Sequence, residues 1–207
     1  GDLLFAGTEF GLFVTVDGGK NWVQLKGGMP SIQVRDLTVQ RRENDLVMAT
    51  FGRGFYVLDD YSALRELTPQ ALAEEARLFP LRDAYSYSPT GLAPAGTAGL
   101  GPLGGNWIAP NPPTGAVFTY NVKQPVTGDA KLVLTITDDA GRQVRQISLE
   151  NAAGLKRVAW DLRGTPAAPA AGAAQGQRGA GGGAALAPAG RYTATLGKMV
   201  GDKVTPI

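Results

Sequence analysis

The chain has 207 residues, 43% of them hydrophobic and only 18% charged, which suits one large folded domain or two small ones with a buried core. Its 20 basic and 18 acidic residues nearly cancel, so charge gives no reason to expect nucleic acid or an anionic membrane as a partner. It has neither Cys nor His, which excludes Cys/His zinc sites, thiol nucleophiles and every Ser-His-Asp or Cys-His arrangement.

The sequence opens at Gly1 directly on an apolar run, without an initiator Met, and reads as a piece of something longer. Residues 1–60 are short strands and tight turns. The runs "LLFAGT" (3–8), "GLFVTV" (11–16), "NWVQLK" (21–26), "VRDLTVQ" (34–40), "DLVMATF" (45–51) and "GFYVLDD" (54–60) are separated by Gly, Asp, Asn or Pro. That spacing predicts an antiparallel all-β fold. The region also repeats itself: "DLLFAGTEFGLFVTVDGG" at 2–19 aligns with "DLVMATFGRGFYVLDD" at 45–60, an offset of about 43 residues. Repeats of roughly 40–50 residues are a signature of β-propeller blades. One to two blades cannot bury their faces alone, so the remaining blades or a partner chain are expected to complete them. Open strand edges normally pair or aggregate, and the piece is not expected to be an independent monomer.

From 61 the pattern changes. In "YSALRELTPQALAEEARLF", Thr68 is an N-cap and Pro69 takes the first helical position, predicting one short helix in a connector and exit strand over 61–87. Residues 88–115 are rich in Pro and Gly, the composition of a linker. Residues 116–207 return to strands, expected at about 116–122, 131–137, 143–149, 155–162 and 191–197, as a small β-sandwich. Leu132, Leu134 and Ile136 share one face of their strand, as do Val158, Trp160 and Leu162 of theirs. Gly141 in "DDAGRQ" is available for a positive φ in a hairpin turn. An Ala/Gly/Pro-rich insertion at 164–190 interrupts the sandwich and cannot pack a core.

The segment "TVDGGKNW" places Thr15, Asp17, Gly19 and Trp22 in the pattern Ser/Thr-x-Asp-x-Gly-x-x-Trp. A short carboxylate can accept the backbone N–H groups of its own turn, the glycines supply angles other residues avoid, and a Trp folded under the turn adds apolar burial. Each residue type is explained by making a rigid hairpin. The segment resembles the Asp-box of BNR-repeat propellers, the superfamily of sialidases, sortilin-type receptor domains and related exported proteins. The resemblance implies that the box lies at the blade periphery, away from the central cavity where ligands bind, so these four residues are structural. "FGRGFYVLDDYSALRELT" followed by "ARLFPLRDAY" is similar to the last blade and exit segment of large bacterial BNR-repeat proteins, often labelled glycosyl-hydrolase-like or sortilin-like. "GLKRVAWDLRG…APAGRYTATLG" resembles the Ig-like sandwich of the flagellar-hook-cap type that often follows such propellers, with Trp160, Asp161, Gly190 and Tyr192 at its recurring marks. These resemblances span roughly residues 1–87 and 116–207; the long Ala/Gly insertion and the lack of most of a propeller depart from the pattern. They imply a secreted, periplasmic or cell-surface protein.

Little in the sequence carries chemistry. Glycoside hydrolysis usually takes two carboxylates, and sialidases use a Tyr/Glu nucleophile with an arginine cluster drawn from several blades. Asp59 and Asp60 are adjacent on a strand end and point in opposite directions; Glu74 and Glu75 are expected on the short helix, facing water. "GLGPLG" at 99–104 matches a phosphate-cradling pattern only formally, since no strand precedes it, no helix follows and Pro102 sits inside. Arg53, held between Gly52 and Gly54, could point into a propeller's central opening with Tyr56 as a ligand contact, or could pair with Asp59 or Asp60 in a solvated turn. Tyr85, Tyr87 and Trp107 border the linker, as a carbohydrate-stacking patch or as aromatics that pin the linker down. No run approaches the roughly 18 apolar residues of a membrane span, and no signal-peptide pattern is present, so membrane insertion is not expected. No metal or cofactor is called for. Two functions stay open: a non-catalytic binding or scaffolding piece with a glycan or protein ligand, or a supporting part of a glycan-acting hydrolase whose catalytic residues lie mostly in other blades.

Overall fold

A computed structural model describes residues 1–87, 112–165 and 184–207. The described chain is all-β, with strands in four small antiparallel sheets and two short helices. It forms two compact units, Gly1–Ala73 and Glu74–Ile207, so the division falls inside the span 61–87 expected as one connector.

The first unit holds two three-stranded sheets. One is β1 (Leu4–Thr8), β2 (Gly11–Thr15) and β3 (Val23–Leu25); the other is β4 (Val34–Gln40), β5 (Asp45–Thr50) and β6 (Phe55–Leu58). β2 and β5 are the central strands. Leu12 and Val14 of the first sheet and Val34, Leu46 and Met48 of the second share one apolar core with Tyr61 and Leu64. Tyr61 and Leu64 come from a 3-10 helix (Tyr61–Glu66), and Tyr61 meets Phe5 edge-on with ring centroids 5.3 Å apart. The two sheets approach closely at Gly7, where an added Cβ would lie 2.7 Å from Cγ1 of Val34. Val34 is buried and β-branched, so it has little room to yield. Gly7→Ala is therefore expected to cost about 1–3 kcal/mol by overpacking. Urea denaturation of the full chain, followed by amide exchange in β1 and β4, checks this; an unchanged midpoint would mean that the sheets can separate freely.

The expected helix forms, in shortened form. α1 (Pro69–Ala73) starts at Thr68, whose Oγ1 accepts the Ala71 N–H at 3.1 Å. Glu74 and Glu75 were expected on this helix, ahead of an exit strand. Ala76–Leu78 forms strand β7, which pairs with β8 (Ala116–Val122); Ala76 and the following Phe79 are both buried. Glu74 and Glu75 consequently lie past the helix, where Glu74 pairs with Arg77 at 2.6 Å and Glu75 pairs with Lys198.

The second unit also has two sheets. β11 (Gly154–Trp160), β8 and β7 form one; β10 (Gln143–Ser148), β9 (Lys131–Asp138), β12 (Tyr192–Val200) and β13 (Lys203–Pro206) form the other. The two central strands supply most of the core, Phe118, Tyr120 and Val122 from β8 and Leu132, Leu134 and Ile136 from β9. Each such side chain contributes about 1.5–3 kcal/mol through burial. The ends of the 164–190 stretch are structured: Arg163 bridges Leu186, and Ala187 N–H donates to the Leu162 carbonyl at 2.7 Å. Within that stretch, residues 166–183 lie outside the described residues, as do 88–111 with "GLGPLG" and Trp107.

Candidate functional site

The seven residues from Val16 to Trp22 link β2 to β3 and close on themselves. Thr15 is 1% exposed, and its hydroxyl donates to Asp17 Oδ1 at 2.7 Å while accepting the Gly19 N–H at 3.0 Å. Asp17 Oδ1 also accepts the N–H groups of Lys20 and Asn21, each at 3.0 Å, and Oδ2 accepts the Asn21 side-chain amide at 2.7 Å. Gly18 and Gly19 have φ of 74° and 98°, in the region that favours glycine. Both carboxylate oxygens of Asp17 thus serve their own turn. Asn21, whose side chain completes the set, occupies a position the motif leaves unspecified; its only signal was an amide four residues after the Asp.

Trp22 departs from expectation. Its indole N–H donates to the Gly19 carbonyl at 3.1 Å, which lays the ring along the turn and leaves it 43% exposed instead of folded beneath.

The Asn21 backbone N–H above all, with the Thr15 hydroxyl and the Asn21 amide, holds the Asp17 carboxyl well below the usual carboxylate range. Its folded form therefore binds a proton less readily than the unfolded chain does. The stability that follows is fully present above about pH 4, the unfolded value, and is lost as pH falls further. Asp17→Asn should lower the melting temperature at neutral pH, and its gap to the wild type should narrow below about pH 4. Thermal melts across that range test this; a gap independent of pH would show that the turn does not use the charge. Asp138 has its pKa lowered in the same way by the Arg142 N–H and guanidinium.

Arg53 and Tyr56 differ in setting. Arg53 is exposed in the turn between β5 and β6, flanked by Gly52 and Gly54 with φ of 84° and 68°. Tyr56 lies opposite Met48 and packs against the core of its unit. Asp59 and Asp60 follow the end of β6 opposite to the one that Arg53 precedes. Asp60 caps the 3-10 helix, accepting the Ser62 N–H at 3.2 Å and the Ser62 hydroxyl at 2.6 Å. Among the described residues no three acidic side chains gather as a metal site would require. No helix among them is long and apolar enough to cross a membrane.

No family model, curated protein or solved structure matches this chain.

The marked residues of the second unit form a corner. Trp160 is buried, its indole N–H donating to the Arg163 carbonyl at 2.7 Å, and it meets Tyr192 edge-on at 5.2 Å. Asp161 Oδ1 accepts the Arg163 N–H at 3.1 Å, while the Tyr192 hydroxyl donates to the Pro188 carbonyl at 2.7 Å. Gly190 is exposed in the turn before β12. Tyr85 and Tyr87 are exposed outside any strand.

Proposed function

We propose that this chain is a non-catalytic binding and scaffolding portion of an exported bacterial Asp-box repeat protein. Residues 1–60 are read as closing blades of a β-propeller, and residues 116–207 as an Ig-like sandwich. The observation that carries the reading is the Asp-box turn, in which both carboxylate oxygens of Asp17 bond within their own turn to Thr15 and Asn21. The packing of Tyr56 against the core and the capping role of Asp60 support it further. The ligand is a glycan or a protein surface, and the partners are further blades of the same kind.

A glycan array probed with the full chain, with released reducing sugar measured on every glycan retained, tests the proposal. Retention without release supports a binding role. Release that scales with the amount of chain would overturn it in favour of a hydrolase.

A further inference from the structure

Asp17–Gly18 is the single place in the sequence where a glycine follows an aspartate or an asparagine. That dipeptide carries a reaction of its own. The backbone nitrogen of the glycine attacks Cγ of the aspartate. The nitrogen gives up its proton and the carboxyl its hydroxyl, which leave together as water, and a succinimide ring closes. Water then adds to one of the two ring carbonyls. Addition at Cγ restores the aspartate. Addition at the α-carbonyl leaves the main chain running through Cβ and Cγ, an isoaspartyl linkage with an extra methylene in the backbone. Glycine suits the attack because it has no Cβ to crowd the nitrogen and the widest choice of backbone angles.

The closed turn disables both reactants. The Gly18 N–H donates to the Asp2 carbonyl at 2.9 Å, so the proton that the attacking nitrogen must lose is held in place. The carboxyl must be neutral for its hydroxyl to leave as water. Yet Asp17 Oδ1 accepts the Thr15 hydroxyl and the N–H groups of Lys20 and Asn21, and Oδ2 accepts the Asn21 amide. Each of these donors favours the anion. They also fix the side chain, since rotation about the Cα–Cβ bond of Asp17 would give up the whole set. Gly18 itself is exposed, so water for ring opening reaches the site.

We infer that Asp17–Gly18 is a site of spontaneous isoaspartyl conversion, gated by the closure of its own turn. The reaction runs through those chains whose turn has opened, and its product does not close again. In the isoaspartyl form the carboxylate sits on Cα, and the added methylene displaces Gly18 and Gly19. The bonds to Thr15, Lys20 and Asn21 therefore do not all re-form, and the pairing of β2 with β3 that this turn closes is loosened. The inference holds whether or not the turn belongs to a propeller.

The test is to incubate the full chain at neutral pH in water enriched in heavy oxygen, with and without urea. Trypsin cuts after Lys20 and releases residues 1–20, whose aspartyl and isoaspartyl forms separate by chromatography. Isoaspartyl peptide carrying one heavy oxygen should accumulate at least about tenfold faster in urea, because in native buffer only the open fraction reacts. Thr15→Val keeps the branched shape without the hydroxyl, and Asn21→Ala removes the amide from an exposed position. Each should raise the rate in native buffer several-fold. Wild-type chain converted in urea and then refolded should exchange its Asn21 backbone N–H freely, where the unconverted chain protects it. Equal rates with and without urea, no conversion in urea, or a protected Asn21 N–H in the refolded isoaspartyl chain would each overturn the inference. So would a native-buffer rate that neither variant changes.

Discussion

Trp160→Ala is expected to destabilise the Glu74–Ile207 unit by about 3–5 kcal/mol. Trp160 is 3% exposed and packs with Phe118, Leu134 and Ile136, so its removal leaves a large void between the two sheets. The Arg163 carbonyl also loses its indole donor, and Tyr192 loses its edge contact. A folded domain is stable by only about 5–15 kcal/mol, so the variant should sit near its unfolding threshold. Trp160→Phe separates the contributions, because it keeps most of the burial but orphans the carbonyl, at a cost of about 1–3 kcal/mol. Urea denaturation followed by far-UV circular dichroism measures both, and amide exchange in β8 and β11 assigns the loss to this unit. A loss below about 1 kcal/mol for the Ala variant would contradict the packing described.

Gly115→Ala should be nearly as damaging, although it adds a single methyl group. Gly115 has φ of 99°, and an added Cβ would lie 2.0 Å from the Trp160 carbonyl oxygen, which as backbone cannot swing aside. Backbone strain and overpacking each cost about 1–3 kcal/mol, so a combined loss of about 3 kcal/mol or more is expected. Gly128→Ala is the comparison that isolates the cause. Gly128 has a similar positive φ of 73° but nothing within 4 Å of its Cβ position, so only strain of about 1–2 kcal/mol should appear. Equal losses at the two positions would mean that the close approach to Trp160 is relieved by a small shift of β8.

The features legible in the sequence were the local ones. The box from Thr15 to Trp22 could be read because its hydrogen bonds close within a few residues, so spacing alone specifies the partners. The cap at Thr68 is local in the same sense. β8 and β9 were legible through their apolar runs, since central strands of a packed sheet are apolar wherever they lie. An exit strand was expected in this span, but its place at Ala76–Leu78 and its partner β8 were not legible, because these residues follow directly on a run of helix formers. The Arg163–Leu186 bridge was hidden likewise, inside a composition that carries no strand signal.

The face that Tyr56 presents is set by register. A constant repeat offset would set Ala49 opposite Tyr56, as Ala6 stands opposite Phe13; the second hairpin sets Ala49 opposite Phe55. Its turn is longer, with Gly52 and Gly54 at positive φ where the first hairpin turns on Glu9 and Phe10 alone. A slip of one residue sends every side chain of a strand to the other face. Tyr56 thereby enters the core, and Phe55 and Val57 are left outside. The sequence by itself determined the all-β class and the closed turn from Thr15 to Trp22, because these depend on local hydrogen bonds and on a period of two. Only the tertiary structure decided which face of β6 is buried, because that depends on how a turn sets the register between two strands.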